Sequence, residues 1–398
     1  MEFWLRRGVA GFRMDVINLI SKDQSFPDVP IIDPNSKYQP GEKFYTNGPR
    51  FHEFMHGIYD NVLSKYDTIT VGEAPYVNDV SEIIKIVGSK ARELNMIFTF
   101  DHMEIEDVKT RGESKWSLRG WKLTELKDII ASWQRRMKDW DGWNAIFLEC
   151  HDQARSVSRY TNDSDKYRER AAKMLALMQT TLGGTIYLYQ GQEIGMRNFP
   201  ADWDPDIDYK DIESLNFWNK MKNTYPGGSE KLKEARTLLQ KKARDHARTP
   251  MQWDDTPNAG FTAPEAKPWM RINGDYQTVN VDAQTSNRGQ TEKELSVWQY
   301  WQQALRHRKL HKDVFIYGDF ELVDCDNEEV FAYVRADSDK GSKWLVAMNW
   351  TTDEVEWTIP PDIHVDSWAS SSLLTSSPGI EKATIRLQPF EGVLGICK

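Results

Sequence analysis

Cysteine is scarce. The sequence has only 3 in 398 residues, Cys150, Cys325 and Cys397. They are odd in number, far apart and without metal-ligand spacing, which excludes a disulfide framework and a cysteine-based metal site. Reduced thiols in a cytoplasmic protein are the expectation. No apolar run approaches the ~20 residues that a membrane-spanning helix needs. The opening stretch from Met1 to Arg7 has neither a long apolar core nor a small-residue cleavage site, so no signal peptide is legible. Basic excess is lacking too. The 51 Lys and Arg stand against 60 Asp and Glu, a formal net charge of -9, which disfavours a nucleic-acid or anionic-membrane partner and suits neutral substrates. Internal repeats and low-complexity tracts are missing. Sequons at Asn162 and Asn349 matter only in a secreted protein and read as chance.

What is present is the composition of a globular chain. Hydrophobic residues make up 39% and charged residues 28%, with 16 Trp, 15 Tyr and 16 Phe, too much apolar and aromatic matter for a disordered protein. The length suits roughly two to three domains, or one barrel with an appendage.

The most informative stretch is Gly11-Phe12-Arg13-Met14-Asp15-Val16, which reads as a buried strand ending in a carboxylate. Arg13 and Asp15 are two residues apart and share one face of such a strand, while Phe12, Met14 and Val16 share the other. A guanidinium beside a carboxylate keeps it ionised, as a nucleophilic carboxylate must be. By itself the hexapeptide fits a structural ion pair equally well. A polar, Pro-containing loop follows from Ser21 to Pro49, then a helix with Phe51, Phe54, Met55, Ile58 and Val62 on one face. The segment Thr68 to Glu73 is a second strand that ends in an acid.

Three further strands are expected at Leu94 to His102, Asn144 to Glu149 and Thr185 to Glu193, the fourth running into Cys150-His151-Asp152. Helices are expected at Leu126 to Met137 and at Ala171 to Leu182, the latter stopped by Gly183-Gly184. Strands alternating with helices, each with chemistry at its C-terminal end, predict a parallel β/α barrel with its site on that face. A doubly wound open sheet is the alternative, weakened because no Gly-rich phosphate loop follows any strand. From Met196 to Trp269 the chain reads as loop-rich around one polar helix near Ser229 to Arg244. Another helix spans Glu294 to Leu310, and after Val314 β-type runs at 320–323, 330–334, 344–350, 355–359 and 392–396 predict an all-β sandwich.

The order of Gly11 to Val16, Val71-Gly72-Glu73 and His151-Asp152 resembles glycoside hydrolase family 13, the α-amylase family. The longer runs Gly11 to Lys22, Thr70 to Pro75, His151 to Arg159 and Arg248-Thr249-Pro250-Met251-Gln252-Trp253 resemble its oligo-1,6-glucosidase and α-glucosidase branch. The resemblance implies a (β/α)8 barrel, here residues 1–312 carrying strands 4 to 8, followed by an all-β domain, residues 313–398. It implies Asp15 as nucleophile, Glu73 as general acid/base and Asp152 as stabiliser of the distorted sugar. Arg13, His151 and Arg248 would hold hydroxyls of the terminal glucose, with Arg244, one helical turn earlier, as the other candidate for the last role. Asp101, His102 and Glu193 read as rim groups or as structural ones. Val16 follows the nucleophile, as is usual in members that cleave α-1,6 bonds, whereas maltose-specific relatives often carry Thr there. Two carboxylates at neighbouring strand ends could lie roughly 5 Å apart, the spacing of a retaining glycosidase.

The sequence departs from that family twice. Cys150 stands where Asn usually precedes the His-Asp pair, so a support for His151 is expected to be lost. The family's first three strands, its first motif and the acidic loop that often binds calcium have no counterpart. The chain is therefore expected to be an N-terminally truncated form, poorly soluble and nearly inactive alone, with an exposed edge at the strand of Asp15. The expected activity of the longer form is that of a cytoplasmic retaining exo-α-glucosidase, monomeric or dimeric, acting on small α-glucosides without cofactor or metal. The rival readings are a non-catalytic relative and a sucrose isomerase or transglucosidase on the same scaffold.

Overall fold

The computed structural model of the chain describes residues 1–34, 37–77, 79–108, 115–286, 294–337, 339–373 and 383–398. They fall into two compact units. The first holds Met1–Lys115, Asp128–Ile146 and Gly183–Thr185, and the second holds Trp116–Lys127, Phe147–Leu182 and Ile186–Lys398. Residues 35 and 36 of the long loop after the first strand lie outside the described residues.

The first unit is built on parallel strands. Strand β1 (Gly11–Met14) pairs in parallel with β2 (Ile69–Glu73), with Arg13 opposite Val71 and Met14 opposite Gly72. Two glycines permit this closeness. A Cβ on Gly11 would sit 1.8 Å from the Ile69 carbonyl oxygen, and one on Gly72 would sit 2.6 Å from Leu94 Cδ1 and 2.9 Å from Ile17 Cγ2. Strand β3 (Met96–Phe98) lies parallel on the other side of β2, and a bridge from Ile97 to Asn144 leads to β4 (Ala145–Ile146). The Thr185 N–H, which opens β5 (Thr185–Ile186), donates to the Asn144 carbonyl at 2.8 Å. Ile17, Ile97, Phe51 and Met55 from the helix Phe51–Asn61, Ile83 and Ile86 from the helix Val80–Val87, and Trp133 and Met137 pack as its core.

The strands are shorter than the sequence pattern predicts. β1 stops at Met14, so Asp15 lies on the turn that follows and Val16 takes a left-handed conformation, φ 34°. The expectation that Val16 continues the strand beside Phe12 and Met14 is thereby corrected. β3 ends at Phe98 and β5 at Ile186, the residues beyond turning away into loops. Hydrophobic runs mark where a strand passes through the core, and polar side chains take over the backbone partners where it leaves.

In the second unit the helix Arg168–Thr181 is almost wholly buried. The all-β region comprises β6 (Asp319–Val323), β7 (Val330–Asp337), β8 (Ser342–Asn349), β9 (Val355–Thr358), β10 (Val365–Ser371), β11 (Thr384–Leu387) and β12 (Gly392–Cys397). Five strands form an antiparallel sheet in the order β10-β12-β8-β7-β6, and β11 pairs with β9. Alternation along β7 explains the sandwich. Val330, Ala332 and Val334 join the core shared with Trp357, Ile385 and Leu387 of the small sheet, while Tyr333 on the opposite face reaches Thr181 Oγ1 at 2.6 Å.

Several of the described elements were not legible, among them two strands and two helices. β10 is interrupted by two register irregularities, and β11 alternates but over only four residues, too few to stand out. Of the helices, Val80–Val87 is short, and Ile212–Thr224 lies in the segment read as loop-rich. Among the described residues no helix is long and apolar enough to cross a membrane.

Candidate active site

The predicted site residues form two clusters, one in each unit. In the first unit Arg13 joins both expected catalytic carboxylates. Its Nη1 donates to Asp15 Oδ1 and its Nη2 to Glu73 Oε2 at 2.6 Å, and the Val16 N–H also points to Glu73 Oε2 at 3.3 Å. The short β1 explains this. With Asp15 on the turn rather than the strand, its carboxyl folds back towards the guanidinium.

The two acids differ in environment. The Asp15 side chain is 75% exposed and that of Glu73 only 13%. Burial raises the Glu73 pKa, the neighbouring Asp15 carboxyl raises it further, and Arg13 only partly opposes them. Burial works against the charge on Arg13, yet Asp15 and Glu73 outweigh it and its pKa is raised. A sheltered carboxyl whose pKa is raised, beside an open one, is the pairing in which two acids can take different roles.

In the second unit, two guanidinium groups and an imidazole surround Asp152. Arg248 Nη2 donates to Asp152 Oδ1, Arg244 Nη1 reaches the same oxygen at 3.2 Å, and His151 Nε2 lies 3.3 Å from Oδ2. Arg248 Nε also donates to the His151 carbonyl at 2.8 Å. Both Arg244 and Arg248 thus reach Asp152. Sequence reasoning missed the residue beneath them. Asp211 takes Arg248 Nη1 on Oδ2 at 2.6 Å and Arg244 Nη2 on Oδ1 at 3.2 Å. The only local signal for Asp211 is an acid two residues before Glu213 at a helix start, where its Oδ1 accepts the Glu213 N–H at 3.0 Å.

The His151-Asp152 turn rests on a buried pair. Glu149 Oε2 accepts Arg155 Nη1 at 3.0 Å, with both side chains 1% exposed, and Glu149 Oε1 accepts the Ser156 N–H and hydroxyl at 3.0 and 2.6 Å. Cys150 supports Asp152: its Sγ accepts the Asp152 N–H at 3.4 Å. Asp101 has a structural partner, Trp133 Nε1, at 2.9 Å. Glu193 lies on the turn Gln192–Ile194 with its pKa raised by burial. In the first unit a cavity of about 680 Å³ lies at the start of β2 and β3, lined by Ile69, Thr70 and Met96, at the other end of β2 from Glu73. The expected carboxylates lie at the other end of the strands, so this cavity is not the candidate site.

Arg244 and Arg248 lie on a 3-10 turn, Arg244–Arg248, whose middle is anchored in the core. Asp245 Oδ1 accepts the N–H groups of Lys210 and Asp211 at 2.6 and 2.9 Å, and Oδ2 accepts the Ser214 hydroxyl at 2.7 Å. The His246 ring packs on Phe199 at 4.0 Å, and burial pushes its pKa down to about 3. The folded protein thus keeps His246 neutral where the unfolded chain takes up a proton near its ordinary value, so stability falls as pH drops from about 6.5 towards 3. Between pH 6.5 and 5 the loss is about 1.7 kcal/mol, the slope approaching the full ~1.4 kcal/mol per pH unit only below the ordinary value. Urea midpoints at the two values, for the parent and for His246→Phe, measure it. The variant is expected to lose that much less, and an equal loss contradicts the assignment.

Similarity to known proteins decides the family. The family model described as "Alpha amylase, catalytic domain" matches residues 1–318. The chain belongs to the α-amylase family. An α-glucosidase of Schizosaccharomyces pombe is 40% identical over 399 residues, covering 99% of this chain and 66% of that protein. An oligo-1,6-glucosidase of Parageobacillus thermoglucosidasius is 40% identical over 398 residues, with 98% and 66% covered. Among solved structures, isomaltulose synthase of Erwinia rhapontici superposes with a TM-score of 0.87 at 31% identity, covering 100% of this chain and 66% of that one. Trehalose-6-phosphate hydrolase of Bacillus licheniformis gives 0.84 at 36%, with 100% and 67% covered. The chain thus spans about two thirds of the length of the curated relatives it matches. The α-amylase family barrel with a C-terminal β domain is its fold.

Proposed function

We propose that this α-amylase family chain carries the catalytic carboxylates of a retaining exo-α-glucosidase acting on terminal α-1,6, and also α-1,4, glucosidic bonds of short oligosaccharides such as isomaltose. Its strands β1 to β5 would be strands 4 to 8 of the eight-stranded barrel. The observation that carries the reading is Arg13, shared between an exposed Asp15 and a sheltered Glu73 of raised pKa.

In this mechanism Asp15 attacks the anomeric carbon as Glu73 gives its proton to the departing glycosidic oxygen, leaving a β-linked glucosyl ester on Asp15. Water then attacks that carbon, gives its proton to Glu73 and releases Asp15, and the two inversions restore the α configuration. Asp152, oriented by Arg244 and Arg248, would hold hydroxyls of the distorted ring with His151. The two carboxylates supply both steps, so the reading calls for no cofactor. A neutral sugar suits the net charge of -9, and the scarcity of cysteine supports a cytoplasmic location. The likeness to isomaltulose synthase favours a second reading, in which a sugar hydroxyl replaces water in the second step.

Glucose release from isomaltose and maltose by the purified chain, with Asp15→Asn beside it, tests the proposal. Product chromatography separates hydrolysis from transfer. Val16 adjoins both carboxylates through its backbone. Val16→Thr is expected to move the isomaltose-to-maltose ratio of kcat/KM about tenfold towards maltose, the scale of one small group in a specificity pocket. An unchanged ratio removes Val16 from the specificity determinants.

A further inference from the structure

Asp211 is in the second cluster but outside the expected catalytic set. Its side chain is 3% exposed and touches three partners: the Glu213 N–H, Arg244 and Arg248. A helix N-cap needs one carboxylate oxygen, and Oδ1 meets that need. Oδ2 is given to Arg248 Nη1 at 2.6 Å. We propose that Asp211 is a positioning residue that holds Arg244 and Arg248 together on Asp152 and so fixes the orientation in which Asp152 meets the sugar.

The charges require such a group. Two guanidinium groups converge on one oxygen, Asp152 Oδ1, and repel each other there. Asp211 gives each a second anionic partner on the far side, and Glu213 Oε2 adds a third contact to Arg244 Nε at 3.3 Å. Burial opposes the Arg244 charge, but Asp211, Glu213 and Asp152 together raise its pKa. With Asp152 Oδ1 committed to the arginines, Asp152 Oδ2, 3.3 Å from His151 Nε2, is the oxygen left to meet sugar hydroxyls. Asp211 is itself held in place, because Asp245 fixes its N–H and the Ser214 hydroxyl of its helix. A neutral side chain at 211 would leave two cations against Asp152 and Glu213 alone, and one guanidinium would swing away.

The inference rests on the glucosidase reading for its effect on turnover, and on geometry alone for its effect on the arginines. Asp211→Asn separates the roles, since Asn caps a helix as well as Asp but carries no charge. The variant is expected to stay folded by circular dichroism and to lose about 10- to 100-fold in kcat/KM for isomaltose, the scale of a supporting hydrogen bond at a site. Most of the loss is in kcat. In a double-mutant cycle with Asp152→Asn, the second substitution should add almost nothing, because Asp211 acts through Asp152. Unchanged kcat/KM, or losses that multiply independently, overturns the proposal. A second readout does not depend on turnover. The Arg244 and Arg248 Nε–H resonances should be distinct and slow to exchange in the parent and averaged in Asp211→Asn. If they stay distinct in the variant the positioning role is wrong, whatever the activity. If they collapse while neither protein turns over isomaltose, the positioning role stands and the glucosidase reading fails.

Discussion

Asp15→Asn is expected to reduce glucose release from isomaltose by at least ~10³-fold, the scale of removing a nucleophile. Stability should hardly change. Asp15 is mostly exposed where it pairs with Arg13, so the amide leaves no buried group without a contact. The substitution should also act on Glu73. With the negative neighbour gone, Arg13 has a single carboxylate to serve, and the Glu73 pKa should fall from its raised position. Carbon-13 titration of Glu73 in the two proteins would show it. Azide offers a chemical check, since it is small enough to stand where the Asp15 carboxylate stood. It should attack α-glucosyl fluoride from that side, expel fluoride and give β-glucosyl azide. Wild-type rates from the variant, or no β-azide product, would remove Asp15 from the nucleophile role.

Arg155→Met should cost about 3–5 kcal/mol, the range for breaking a buried ion pair by deleting one partner. That is a large share of the roughly 5–15 kcal/mol that holds a domain folded. The variant leaves the Glu149 charge in a site 1% exposed. It also frees the Gln190 carbonyl that Arg155 Nη1 holds at 2.7 Å. Glu149 binds the Ser156 end of the turn that carries His151 and Asp152, so binding of glucose should weaken along with stability. Replacing both partners, Arg155→Met with Glu149→Leu, should recover most of the folding loss, because no charge is then left buried. Urea unfolding of the single and double variants measures this. A single variant within about 1 kcal/mol of the parent would mean that water reaches the pair.

The three carboxylates of the proposed mechanism were legible because the signal for each is local. Arg13 and Asp15 are two residues apart, and Glu73 and Asp152 each close a short run whose neighbours are as distinctive as they are. What the residues do to one another was less so. Asp15 lies on a turn rather than on the strand predicted for it, and that displacement lets one arginine serve two acids. Arg244 and Arg248 read as alternatives one helical turn apart, yet a 3-10 turn anchored by Asp245 and His246 brings both to Asp152. Asp211 could not be found from its neighbours, because its partners are at 244 and 248 and only folding brings them to it. The all-β region was placed from β-type runs separated by turns, β7 and β8 among them, whereas β10, with its irregular register, offered no such run.

The central claim is that Asp15 and Glu73 act as a retaining pair, and the anomer first formed tests it most directly. Proton NMR during the first minutes of isomaltose hydrolysis, before mutarotation, separates the two forms of glucose. The arrangement around Arg13 predicts α-glucose from the cleaved end. Release of β-glucose from that end would show a single displacement by water and would contradict the roles of both carboxylates, Asp15 as nucleophile and Glu73 as acid/base.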